Sequence, residues 1–115
     1  MTTYRRGDVI LVRFPNSDLV TYKKRPALVV QDENVDTGLS QRLVVMITSN
    51  LARTGETRVV VQEDSPAGKA MGLISDSVIV ADNIATVRER EIDKTLGRCP
   101  CMPEVDAASR KALRL

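Results

Sequence analysis

Short runs of β-branched and aliphatic residues alternate along the chain with stretches rich in glycine, proline, asparagine and charge. That rhythm predicts strands joined by polar loops. DVILVRF (8–14) follows Gly7 and reads as a first strand, and the turn formers and charges of PNSDLVTYKK (15–24) read as a loop. RPALVVQ (25–31) predicts a second strand, with Pro26 confined to its start or to an edge because it has no N–H to donate. After the polar loop 32–41, RLVVMITSN (42–50) reads as a buried strand with a polar exit. LARTGE (51–56) is a turn, TRVVVQED (57–64) a fourth strand, and SPAGKAMG (65–72), with one proline and two glycines, a loop. LISDSVIVAD (73–82) and IATVRERE (84–91) predict two more strands meeting near Asp82 and Asn83, and DKTLG (93–97) a short helix or turn. Beyond Pro103, Val105, Ala108, Ala112 and Leu113 recur at helical spacing, with acidic residues at the start and basic ones at the end of the segment. The expected architecture is mainly β, an α+β fold with a small, partly open barrel or strongly bent sheet and a C-terminal helix.

Composition narrows the function classes. The 115 residues, 43% hydrophobic and 28% charged, are expected to form one domain spanning 1–115. The start, MTTYRRGDVI, lacks the apolar stretch of a secretory signal, and no run approaches the roughly 18 apolar residues of a membrane span, so a cytoplasmic protein is expected. A net charge of +2, from 17 basic and 15 acidic residues, is too small to argue for nucleic-acid binding, although YRR, KKR, Arg42, Arg53 and Arg58 concentrate basic charge in the first half. Histidine is absent, which excludes histidine-built zinc sites, catalytic triads and paired-histidine nucleases. Cys99 and Cys101 flank one proline; a disulfide across so short a loop is strained, and two thiolates alone make a poor metal site. Only Tyr4, Phe14 and Tyr22 are aromatic, which argues against a sheet that binds single strands by stacking bases.

Two stretches carry chemistry. In KKRPALVVQD (23–32), Pro26 restricts Arg25 to extended backbone, so its guanidinium leaves the strand in a defined direction. A guanidinium is a planar fork that suits phosphate and stays charged at any working pH. In ITSN (47–50), a buried strand ends in two hydroxyls and an amide. Such groups serve either as turn chemistry or as the lining of a phosphate or base pocket. If the two strands are neighbours, Arg25 and Thr48 converge.

RRGDVILVRFP, KKRPALVVQ, VVMITSN and GLISDSVIVADNIATV, in that order and spacing, resemble the MazF/PemK toxins of bacterial type II toxin–antitoxin systems, over nearly the whole chain. The resemblance implies an SH3-like barrel with a C-terminal helix, usually a homodimer. It implies a metal-independent endoribonuclease, with no cofactor, that cuts single-stranded mRNA. It also implies a cognate antitoxin that lays a flexible acidic segment over the RNA groove. The family's motif arginine and threonine carry over onto Arg25 and Thr48 as the catalytic pair.

Metal-free cleavage can use the substrate's own 2′-OH, leaving a 2′,3′-cyclic phosphate and a 5′-OH. With no histidine, Asp82, Asp18 or water are the candidates for proton transfer, the two aspartates doubling as candidates for base recognition. Lys23, Lys24, Ser49, Asn50 and Asn16 are candidate RNA contacts. Some relatives carry an arginine two residues before the later aspartate, where this chain has Val80 before Asp82, and some carry a histidine in the first loop, where this chain has none. A mechanism that needs either residue is thereby in doubt here. An alternative reading is a non-catalytic SH3-like barrel that binds a protein partner, such as a gyrase-poisoning toxin of the same fold.

Overall fold

The computed structural model describes residues 4–15, 18 and 20–115. Among these, β1 (Asp8–Pro15), β2 (Tyr22–Val29), β3 (Gln41–Thr48), β4 (Arg58–Val61), β5 (Ser77–Arg88) and β6 (Ile92–Arg98) form one antiparallel sheet in the order β4-β5-β3-β2-β1-β6. Helix α1 (Pro66–Met71) follows β4, and α2 (Met102–Leu113) ends the chain. The sheet is bent but not closed, with β4 and β6 as its edges.

Both faces of the sheet are apolar, so strand residues of either parity are buried. One face sets Val9, Leu28, Val45, Ile47, Val61 and Ile79 against Met71 of α1 and Val105 of α2. The other gathers Ile10, Val12, Ala27, Val29, Val44, Val87 and Ile92 from the strands alone, with Tyr4 and Ala85 beside them. The bend of the sheet encloses this second cluster. The continuous apolar runs in the sequence have this cause: the strands need no solvent-facing side near their centres.

Four sequence expectations change. The loop read over 15–24 ends early, because β2 begins at Tyr22 and pairs Lys23 and Lys24 with β1. Residues 65–72 are not a loop: Ser65 caps α1 by accepting from the Gly68 N–H at 3.0 Å, Pro66 opens the helix, and Gly72 closes it at φ 73°. The start and stop signals were present, but the helix between them is too short to show apolar periodicity. Residues 73–82 and 84–91 are not two strands, because β5 runs unbroken from Ser77 to Arg88. Its register against β3 jumps from Met46↔Val80 to Val45↔Ile84, so the bend at Asp82 and Asn83 is an irregularity within one strand. Residues 93–97 are neither helix nor turn; they are the body of β6, paired with β1. Gly97 is required there, since a Cβ would lie 2.2 Å from the Ala70 carbonyl oxygen.

Much of the basic charge in the first half is structural. Arg6 pairs with Asp106 of α2 and donates to the Val30 carbonyl at 2.7 Å. Arg42 meets Glu89 at 3.0 Å and the Tyr4 carbonyl at 3.1 Å. These contacts tie the chain's start and the rim of β3 to the rest of the fold, and they leave less of the charge for a polyanion.

Candidate nucleic-acid interface

β2 and β3 are neighbours, paired as Ala27↔Met46, Leu28↔Val45 and Val29↔Val44. The same register continued two residues toward the ends of both strands sets Arg25 opposite Thr48. Directly opposite residues share a face, and alternation puts Arg25 and Thr48 on the face of Ala27, Val29 and Val44. On the far sides, Arg25 faces Val12 of β1 and Thr48 faces Val78 of β5. Both residues are partly exposed, while Ala27, the next residue inward on that face of β2, is sealed. A guanidinium and a hydroxyl thus stand at the rim of a rigid apolar sheet.

The rest of the rim mixes turn chemistry with exposed polar groups. Thr48 Oγ1 accepts from the Asn50 N–H at 3.1 Å, and Asn50 Oδ1 from the Ala52 N–H at 3.1 Å. A hydroxyl that accepts one hydrogen bond still has a proton to donate. Ser49 and Asn50 are exposed. Lys23 is exposed and shares the parity of Arg25. Lys24 has the opposite parity and meets Asp93 of β6 at 3.4 Å. Asn16 lies outside the described residues. The Asp18 carboxylate accepts from the Val20 N–H (2.9 Å), the Thr21 N–H (3.0 Å) and the Thr21 hydroxyl (2.8 Å). Hydrogen bonds from Thr21 and then Val20 hold its carboxyl below the ordinary 3.8, which makes it a weaker base than a free carboxylate.

Asp82 is exposed on β5 and is not alone. Arg58 of β4 grips it with both arms of the fork, Nε to Oδ1 at 3.2 Å and Nη2 to Oδ2 at 2.9 Å. Arg58 sits directly across from Val80, so a guanidinium beside Asp82 comes from the adjacent strand rather than from position 80. In the sequence Arg58 stands only as one basic charge among several. Its place at the head of an apolar strand was visible, but the β4–β5 register that aims it at Asp82 was not. Among the described residues, no group of three or more cysteines and carboxylates is arranged to hold a metal ion. Cys99 and Cys101 are free thiols with their sulfurs 3.1 Å apart, on the side of the sheet covered by the helices.

A small, bent, open antiparallel sheet with a C-terminal helix and a polar rim on one face defines the MazF-type fold class. The family model described as "PemK-like, MazF-like toxin of type II toxin-antitoxin system" matches residues 5–113, and the chain belongs to that family. Among solved structures, an endoribonuclease from a mycobacterial species is 26% identical with a TM-score of 0.73, over 100% of this chain and 95% of that one. A mycobacterial endoribonuclease in complex with its cognate antitoxin superposes with a TM-score of 0.75 at 24% identity, covering 98% and 97% of the two chains. A MazE–MazF complex from Deinococcus radiodurans gives 0.73 at 18% identity, with 99% of each chain covered. No curated protein is similar enough in sequence to be matched to the chain.

Proposed function

We propose that the protein is a metal-independent endoribonuclease that cleaves single-stranded RNA in the cytoplasm, acts as a homodimer and is silenced by a cognate antitoxin with an acidic segment. The observation that carries this reading is the β2–β3 register, which brings Arg25 and Thr48 to one end of one sheet face. Family membership and the endoribonucleases among the structural neighbours support it.

In the reaction, the 2′-oxygen attacks the adjacent phosphorus and gives up its proton, while the bond from phosphorus to the 5′-oxygen breaks and that oxygen takes up a proton. The products are a 2′,3′-cyclic phosphate and a 5′-OH. Charge accumulates on the non-bridging oxygens along the way. The Arg25 guanidinium and the Thr48 hydroxyl are donors placed for that charge before it develops, which is where fixed electrostatics contribute most. Both are held by strands whose centres are fully buried, so little reorganisation accompanies the reaction. Arginine is too weak an acid to serve readily as a general base or acid. With Asp18 held in its turn and Asp82 gripped by Arg58, water is the base this reading assigns.

The test is incubation of the purified protein with single-stranded RNA, with and without EDTA, followed by end analysis. Cleavage that survives chelation and leaves cyclic phosphate and 5′-OH ends is the expected result. Intact RNA together with inhibition of DNA gyrase would replace this reading with that of a protein-binding toxin.

A further inference from the structure

We infer that Asp82 reads the edge of an unpaired base beside the cleaved phosphate, and that Arg58 is the positioning residue that fixes its carboxylate for that purpose. The assignment rests on the nuclease reading above and goes beyond it by naming a specificity device.

Face and distance come first. Val78 is the cross-strand partner of Thr48, Val80 shares its side, and Arg58 stands opposite Val80, so the carboxylate that Arg58 grips is held on the side of the sheet that carries Thr48 and Arg25. The paired step from Val78 to Val80 covers roughly 7 Å at about 3.3 Å per residue, and Asp82 lies beyond it on the bulge. The carboxylate therefore stands past the row of Thr48, on the side of a nucleotide flanking a phosphate held there.

Local structure then lifts it toward solvent. Between Met46↔Val80 and Val45↔Ile84, β3 advances by one residue and β5 by four, so residues 81–83 have no partners on β3. Asp82 and Asn83 project from this bulge and are exposed. An exposed aspartate on a bulge would ordinarily sample several rotamers. Arg58, diagonal to it across the β4–β5 pair, removes that freedom with a two-pronged grip and also donates from Nη1 to the Thr54 carbonyl at 3.4 Å.

The chemistry follows from counting lone pairs. A carboxylate offers about four acceptor sites, and a two-pronged guanidinium takes one on each oxygen. The remaining sites accept but cannot donate. They fit a base edge that carries an amino group, such as N4 of cytosine or N6 of adenine. Recognition of this kind requires unpaired bases, as in single-stranded RNA. A purely structural role for the pair would yield little, because partly exposed ion pairs contribute about 0–1 kcal/mol.

The experiment maps the 5′-OH ends produced from a random single-stranded RNA pool by the wild type, Asp82→Asn, Arg58→Ala, and the charge-swapped double variant Arg58→Asp/Asp82→Arg. kcat and KM on the preferred sequence and the thermal midpoint of each protein are measured alongside. The expected result is that Asp82→Asn and Arg58→Ala relax one flanking position of the cleaved sequence. Cleavage of the preferred sequence falls about 10- to 100-fold through KM, with the other positions unchanged. The swapped variant regains the ion pair and the wild-type midpoint, yet shifts that same position toward a base presenting acceptors.

A wild-type sequence preference in Asp82→Asn and in the swapped variant overturns the inference and leaves the nuclease intact. So does an equal loss at every sequence through kcat. A wild type that cleaves no RNA overturns the nuclease reading, and the inference falls with it.

Discussion

Arg98 at the end of β6 forms an ion pair with Asp8 at the start of β1, whose side chain is one of two buried polar residues in the fold's described part. The Arg5 N–H donates to the second carboxylate oxygen at 2.9 Å, and Arg98 also donates to the Arg6 carbonyl at 3.0 Å. The GD of RRGDVILVRFP is therefore a structural joint between the first strand and the last. Asp8 is only 7% exposed with Arg98 in place, and replacing Arg98 with alanine leaves its carboxylate with the Arg5 N–H alone. Stability should fall by about 1–3 kcal/mol, the usual consequence of stranding a buried polar partner. Urea denaturation measures it, and a midpoint unchanged from the wild type would show that the pair is not holding the joint.

The Arg25 and Thr48 pairing is tested by separating charge from shape. Arg25→Ala should lower RNA cleavage by at least about 10²- to 10³-fold, the usual effect of losing one donor aimed at developing charge. The melting temperature should stay near that of the wild type, because Arg25 stands at the rim outside the buried clusters. Thr48→Ser keeps the hydroxyl and should retain activity within about tenfold, whereas Thr48→Val keeps the shape and should lose about 10². If valine cleaves as well as serine, the hydroxyl has no part in the reaction.

The strands were legible because their apolar runs are long and the turns between them are rich in glycine and charge. The Arg25 and Thr48 pair was legible only as a condition. Each residue announced itself through its local context, a proline after the arginine and a polar exit after a buried strand, but convergence depended on β2 and β3 being neighbours in one register. β6 was illegible for a different reason. DKTLG is polar and mostly exposed, and it is extended because β1 offers it a ladder and Gly97 lets α1 approach. Tertiary pairing overrides weak local propensity there. Arg58 was hidden because the contact that matters is 24 residues away in sequence and diagonal across two strands.

Cys99 gives the fold a dependence on alkaline pH. Burial, followed by its hydrogen bond with Cys101, pushes the thiol from an ordinary 9.0 up to about 12. A raised value means that the folded protein keeps a proton the unfolded chain gives up. The stabilisation is complete below pH 9 and is lost as the pH rises toward 12. Unfolding free energy should therefore fall with pH in that window more steeply for the wild type than for Cys99→Val, which has no thiol to titrate at that position. Parallel curves would mean that the thiol titrates alike in both states. Iodoacetamide at pH 8 should alkylate Cys101 well before the buried Cys99, since the thiolate is the nucleophile.

Lys23 and Lys24 are adjacent in sequence and differ in what they can offer a polyanion. Alternation gives Lys23 the side of Arg25 and Thr48, while Lys24 turns the other way and shares its charge with Asp93 at 3.4 Å. Each phosphate neutralised on a single strand steepens the fall of log K with log salt by about 0.7. Lys23→Gln should therefore make that slope shallower by about 0.7, and Lys24→Gln by clearly less. The measurement is fluorescence anisotropy on a 2′-O-methylated RNA that cannot be cleaved, across a salt series. Equal slope changes would mean that strand parity does not govern which lysine meets the backbone, and a larger change for Lys24 would place the RNA on the opposite side of the β1–β2 hairpin from Arg25.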